Sequence, residues 1–339
     1  MTFTKKYLKA LGGIMKKYLG IILSLILVTT TLAGCSPKKE ETKKASSNQM
    51  EMKVGTWKTA QTIQPFVYNK FKEGGDKVEV IPFTNPGDMK TALLSGNIDF
   101  SGTTWVTAIM AASKGEPIKV VGSMTEKCSA LVVGKDSNIN STKDLKGKTI
   151  AYVPGTMHHI LLLEVLDRAG LDPDKDVTLK KIDFFDMGQA LASKSIDAFC
   201  SGEPYPSIAM IDGYGKVLEY PYYDDSIGYI NAAMITTDDE IKQNPEKIQK
   251  LVNMHVESSK YLMDNNKEWI EKAAKFGTEE KYLKKSTENI ELSWDITPQT
   301  IKQVKSLAQR MKALGMIDNV PDVDSMFDLS FLEKAKEQK

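Results

Sequence analysis

The feature that most constrains this chain is a short internal repeat. Asp88 to Asp99, DMKTALLSGNID, lies on Asp186 to Asp197, DMGQALASKSID, without a gap, and Asp, Met, Ala, Leu, Ser, Ile and Asp coincide. Each copy reads as a helix, a turn and a strand. Beyond the strands, Ser101-Gly102-Thr-Thr-Trp105 and Ser201-Gly202-Glu-Pro-Tyr205 share the form Ser-Gly-x-x-aromatic. Two copies are too few for a solenoid, so the repeat points to two similar lobes.

The flanking pattern alternates in the same way. Strands are expected to Val54 and over Val78–Pro82, Ile98–Ser101, Ile118–Gly122 and Ala130–Val133, with helices over Ile63–Phe71 and Met89–Leu94. This alternation argues an α/β fold with mainly parallel pairing. The first lobe is built to about Lys135, the second runs from Asp136 to Tyr229, and Ile230–Thr236 returns as a strand. Two crossovers between lobes make a hinge. After Thr237 the chain turns helical, over Pro245–Met263, Trp269–Phe276, Glu279–Ser286 and Thr300–Leu314, and this extension is expected to cover the first lobe and the hinge.

At the centre lies Lys148–Leu171, KTIAYVPGTMHHILLLEVLDRAGL: an apolar strand, a Pro-Gly turn and a helix. Thr156 is placed to cap that helix and Gly170 to end it. Glu164, Asp167 and Arg168 share one face, so Leu162, Leu166 and Ala169 point towards a sheet. His158 and His159 then stand above the carboxyl end of the strand, where open α/β sheets bind ligands.

Charge and side-chain inventory exclude several functions. The formal charge is +1, but residues 1–34 hold five lysines and no acid, which leaves −4 for the remainder. A mildly acidic body argues against nucleic acid. Only Arg168 and Arg310 occur, neither at a strand-to-helix turn, so no buried bidentate clamp is expected there. Three histidines and three cysteines without a CxxC or HxxxH pair argue against a metal or redox centre, and no cofactor is expected. His255, inside a helix, reads as an ordinary packed or exposed histidine. Cys128 and Cys200 are expected as free thiols.

Residues 1–34 combine lysines, an apolar run from Tyr18 to Val28, and Leu32-Ala33-Gly34 directly before Cys35. This resembles a bacterial lipoprotein signal peptide, with translation beginning at Met1 or Met15. The resemblance implies that Cys35 becomes a lipidated first residue holding the protein on the extracytoplasmic face of the membrane. Residues 35–50, polar and aperiodic, read as a flexible tether.

Taken in order, the lipobox, the two lobes, GTMHHILLLEVLDRAGLDPDKD, SGEPYPSIA and ALGMIDNVPDVDSMFDLSFLEKA resemble ABC-transporter substrate-binding proteins of the nitrate, sulfonate and taurine-binding family, which is similar to thiamine-pyrimidine-precursor binders. The resemblance implies a type II periplasmic-binding-protein fold, with lobe 1 at 51–135 and 230–339 and lobe 2 at 136–229. It further implies a monomer that takes a small-molecule ligand between its lobes and delivers it to an ABC permease and its ATPase. His158 matches the spacing of the nitrate-type pattern and His159 that of the sulfonate type. The alternative class is an enzyme on the same two-lobed fold.

Four strand-end turns are expected to meet across the cleft. Trp57 and Thr59, with Ser101, Gly102, Thr103 and Trp105, come from the first lobe. Thr156, His158 and His159, with Glu203 and Tyr205, come from the second. Helix N-termini suit an oxyanion without arginine and disfavour imidazolium, so the histidines read as neutral. Trp57, Trp105 and Tyr205 are flat apolar walls, or else, for the tryptophans, core. Glu203 either accepts from a ligand amine or holds its turn.

Overall fold

A computed structural model describes residues 49–84 and 86–337. The signal peptide, Cys35 and all but the end of the tether lie outside the described residues. The first sheet holds β1 (Glu51–Thr56), β2 (Lys77–Pro82), β3 (Phe100–Thr104), β4 (Ile118–Lys127), β10 (Ile230–Thr237) and β11 (Ile290–Leu292), in the order β11-β4-β10-β3-β1-β2. The second holds β5 (Ser129–Gly134), β6 (Thr149–Tyr152), β7 (Thr178–Lys181), β8 (Ala198–Gly202) and β9 (Gly215–Glu219), in the order β7-β6-β8-β5-β9. Both sheets run parallel through β2-β1-β3 and β7-β6-β8, and the next strand, β10 or β5, is antiparallel.

The helices are α1 (Pro86–Leu94), α2 (Trp105–Ser113), α3 (Met157–Arg168), α4 (Phe184–Ala192), α5 (Tyr205–Ile211), α6 (Asp238–Gln243), α7 (Pro245–Asp264), α8 (Asn266–Ala274), α9 (Glu280–Ser286), α10 (Pro298–Ala313) and α11 (Ser330–Glu337). Gln64–Lys70 is a tighter 3₁₀ run where an ordinary helix is expected from sequence.

The repeat is a structural unit in both lobes. Met89 and Met187, Leu93 and Leu191, and Ile98 and Ile196 are all buried. Asp99 accepts from the Lys53 N–H at 2.7 Å and Asp197 from the Thr149 N–H at 2.9 Å, so each closing aspartate clamps the neighbouring parallel strand, β1 or β6. Ser95 Oγ donates to Ala92 O at 3.1 Å and Ser193 Oγ to Ala190 O at 3.2 Å, completing the matched turns.

One boundary needs correction. Ser129–Gly134 belongs to the second sheet, between β8 and β9, whereas the sequence reading placed it in the first lobe up to Lys135. The crossover therefore falls at Lys127–Cys128. Both residues adopt positive φ, 63° and 72°, a conformation costing non-glycine residues about 1–2 kcal/mol each. Backbone bonds hold the pair: Cys128 N–H donates to Asn289 O, and Glu203 N–H donates to Cys128 O, both at 2.8 Å. The second crossover, between β9 and β10, carries the bridge between Tyr223 and Gly228.

Candidate functional site between the lobes

Ser101-Gly102 inside β3 and Ser201-Gly202 at the end of β8 are bonded in the same way. Ser101 Oγ donates to Gly102 O at 2.9 Å and Ser201 Oγ to Gly202 O at 3.1 Å. Each glycine carries a ring. A Cβ on Gly102 would stand 3.4 Å from the Trp57 ring and 2.9 Å from Met124 Sδ, and one on Gly202 would stand 2.8 Å from His158 Cε1 and Nε2. Lacking a side chain at these points lets an aromatic group lie on the backbone.

His158 reaches Gly202 because Thr156 starts α3 in the right place. Thr156 Oγ1 accepts from the His159 N–H at 3.3 Å and donates to Val153 O at 2.9 Å. Its role is therefore the expected cap. His158 Nδ1 pairs with Ser129 Oγ at 2.8 Å, and the ring meets Phe184 edge-on at 5.5 Å. Burial pulls its pKa down to about 4, so the imidazole is neutral near pH 7. Its Nε2 lies against the Gly202 backbone, and among the described residues the one hydrogen bond found for the ring is that at Nδ1.

The second histidine is used locally. His159 Nδ1 accepts from the Gly155 N–H at 3.3 Å, and its ring lies against Tyr152 at 4.5 Å. Burial also lowers its pKa. His255, in the first lobe, is saturated: Nε2 donates to Ser123 O at 2.6 Å and Nδ1 accepts from the Tyr68 hydroxyl at 2.9 Å.

On the first-lobe side, Trp57 and Thr59 are half-buried. Thr59 and Thr62 hydroxyls pair at 2.7 Å and Thr62 Oγ1 also donates to Trp57 O at 3.0 Å, which fixes the turn. Gln61 then crosses to the other lobe, its Nε2 donating to Glu203 O at 3.3 Å. Its Oε1 is buried without a hydrogen-bond partner among the described residues. Tyr205 is half-buried, stacks on Phe184 at 6.1 Å, and meets Phe185 edge-on at 5.8 Å. Phe185 is itself 83% exposed. Ser129, Gln61 and Phe184 escaped the sequence reading. Only Gln61, two residues past the Gly55–Thr59 turn, carries a usable signal.

Two expected contacts are placed elsewhere. Trp105 is fully buried, packed 6.1 Å from Phe327 within the first lobe's core. As the first residue of α2 it turns under that helix, so it is core and not a wall of the opening. Thr103 is also buried, its Oγ1 without a hydrogen-bond partner among the described residues. Glu203 is 2% exposed, and its carboxylate accepts from Asn289 Nδ2 and the Ser207 N–H, both at 3.2 Å. Burial raises its pKa. Of its two expected roles, this is holding the turn.

Cys128 and Cys200 are free and buried. Burial pushes the Cys200 thiol up to about 12, far from a reactive thiolate. Among the described residues no group of three or more His, Cys, Asp or Glu is arranged to hold a metal, and no helix is long and apolar enough to cross a membrane.

Two α/β lobes with the same strand order, two crossovers, and strand-end turns facing one another define the type II periplasmic-binding-protein fold. The chain belongs to the NMT1/THI5-like family, whose model matches residues 70–269. It is 26% identical over 207 residues to a putative aliphatic sulfonates-binding protein of Escherichia coli K12, covering 60% of this chain and 63% of that protein. It is 25% identical over 340 residues to a protein of the same description from Bacillus subtilis 168, covering 96% and 98%. Among solved structures, the periplasmic aliphatic sulphonate binding protein of Escherichia coli superposes with a TM-score of 0.72 at 20% identity, over 82% of this chain and 92% of that one.

Proposed function

We propose that this protein is the extracytoplasmic solute receptor of an ABC importer, binding a small organic or oxyanion nutrient between its lobes and presenting it to a permease and ATPase. The supporting relatives are described as sulfonate-binding proteins, and the cargo class is a sulfonate, a nitrate-like anion or a nitrogen heterocycle. The observation that carries the reading is the contrast between His255, with both ring nitrogens satisfied, and His158, whose one hydrogen bond among the described residues is at Nδ1, beside the interlobe contact. We assign the Ser129 hydroxyl as the donor to Nδ1, the tautomer that puts the proton on Nε2 and offers it to the ligand.

Trp57, Thr59 and Gly102 form the opposing wall, and Tyr205 the apolar flank. Ser101, Thr103 and Thr156 shape the turns, and His159 backs α3. A ligand touching both walls favours the closed arrangement by its differential contacts, which is the signal a permease reads. Binding, with no bond made or broken, suits the inert buried thiols better than the enzyme alternative. Residues 1–34 act as the signal peptide, 35–50 as the tether, and Cys35 as the lipid anchor of a monomer. Diacylglycerol there supplies the two chains that stable anchoring needs.

A thermal-shift panel of alkanesulfonates, nitrate and nitrogen heterocycles tests the function. A true ligand at 100 times its dissociation constant stabilises by about 2.7 kcal/mol, and silence across all three groups contradicts it. Cys35→Ala should yield soluble, unlipidated protein; persistent lipid labelling would refute the anchor.

A further inference from the structure

The chain has only two arginines, and both converge on one carboxylate. Arg168, on α3, approaches Glu164 Oε1 at 3.3 Å, one turn along its own helix. Arg310, on α10 of the first lobe, approaches Glu164 Oε2 at 3.6 Å and Asp167 at 3.6 Å, and its Nη2 donates to Leu163 O at 3.3 Å. The Glu164 side chain is only 10% exposed and that of Arg310 24%. Of the charged face of α3, Glu164 is therefore covered by the other lobe, while Asp167 and Arg168 stay exposed.

The covering helix starts at the second crossover. A Cβ on Gly228 would stand 1.9 Å from Gln303 Nε2, so α10 rests against that crossover at Gln303. Two turns along, about 10 Å, Arg310 meets Glu164. Beside this pair, Met157, Ile160 and Leu161 of α3 are buried within the first lobe's core cluster. An arginine outside the ligand turns thus joins helices of two lobes over an apolar seam.

We propose that Arg310–Glu164 is an interlobe latch that holds the lobes together in the absence of ligand and sets how readily they part. This rests on the two-lobe receptor reading. Opening about Lys127–Cys128 separates Arg310 from Glu164 and leaves that carboxylate uncovered, with Arg168 alone. Arg168 is the comparison on α3's own lobe: it pairs with the same Glu164, and its other partners, Asp225 and Tyr223, lie in the second crossover and not on α10.

The test uses ligand-free full-length chain carrying Cys35→Ala, with spin labels on Lys180→Cys and Lys302→Cys, both exposed and one on each lobe. Pulsed electron resonance then reads the interlobe distance distribution. Arg310→Gln should raise the long-distance population roughly threefold or more, and Arg168→Gln should leave it near wild type. Lys127→Gly, which relieves a positive φ at the crossover, is the positive control for motion. Equal distributions for wild type and Arg310→Gln, while Lys127→Gly moves, overturn the latch alone. Equal shifts for Arg310→Gln and Arg168→Gln overturn its assignment to the interlobe pair. No change in any variant overturns the moving-lobe reading and the latch with it; circular dichroism confirms that each variant is folded.

Discussion

The two lobes share a strand order and a repeated helix-strand unit, yet they present different chemistry to the seam between them. In the first, the Ser-Gly turn carries a tryptophan ring; in the second, a histidine ring. The aromatic residue after each turn also diverges, Trp105 turning into the core and Tyr205 remaining half-buried beside Phe184. Duplicated backbone bonds keep the frame constant while one position on each glycine is free to differ. The lesson is that the repeat specifies scaffold, and the ring laid on the glycine specifies the wall.

The largest effect that would break this comparison is at Trp105. Trp105→Ala should lower unfolding free energy by about 3–5 kcal/mol, the cost of emptying a packed aromatic site, with ligand affinity of the folded fraction unchanged. Urea denaturation and titration separate the two. A large affinity loss at unchanged stability would return Trp105 to the cleft.

Next come the two neutral histidines, one per lobe. His158 and His255 are each held at about 4 by burial. The unfolded chain takes up protons near the ordinary histidine value while the native state refuses them, so stability is lost as pH falls from about 6.5 towards 4. Glu126, raised to about 7 mainly by burial, acts with the opposite sign, losing stability as pH rises towards 7. The difference between wild type and His158→Gln isolates the histidine. That variant should flatten the acid side of the stability profile by about 1–3 kcal/mol, and an identical profile would mean that His158 is already hydrated.

Glycine replacement sharpens the comparison further. Gly202→Ala forces a Cβ against the rigid His158 ring, whereas Gly102→Ala meets the flexible end of Met124 first. The second-lobe variant should be destabilised by about 1–3 kcal/mol and the first-lobe variant by less, as chemical denaturation would report. Smallest are the clamps. Asp197→Asn should cost about 1 kcal/mol, and Asp99→Asn somewhat more, because Asp99 also pairs with Lys247 at 2.9 Å. A reversed order would show that the two clamps are not equivalent.

Much of the scaffold was legible because the repeat encodes local contacts: the buried Met, Leu and Ile, the turn serine and the clamping aspartate all lie within one helix-strand unit. What escaped depends on partners far away in sequence. Ala130–Val133 is an apolar run that would suit either sheet, and only pairing with β8 and β9 assigns it. Glu164 sits on a charged helical face, and nothing local reveals that Arg310 covers it. Trp105 has the right spacing for a cleft wall, but its direction is set by Phe327. At the site, Thr156 is readable as a cap from its position, while Ser129 is invisible as the partner of His158 because the two lie on separate elements of the second lobe, β5 and α3, and only the tertiary fold brings them together.

The central claim is that the solute is held between a tryptophan on one lobe and a histidine on the other. Calorimetric titration of the solute found by the thermal-shift panel, against wild type, Trp57→Ala and His158→Ala, tests it most directly. Each variant should bind at least tenfold more weakly, equivalent to about 1.4 kcal/mol or more. Unchanged affinity in both would place the ligand somewhere other than between the two rings.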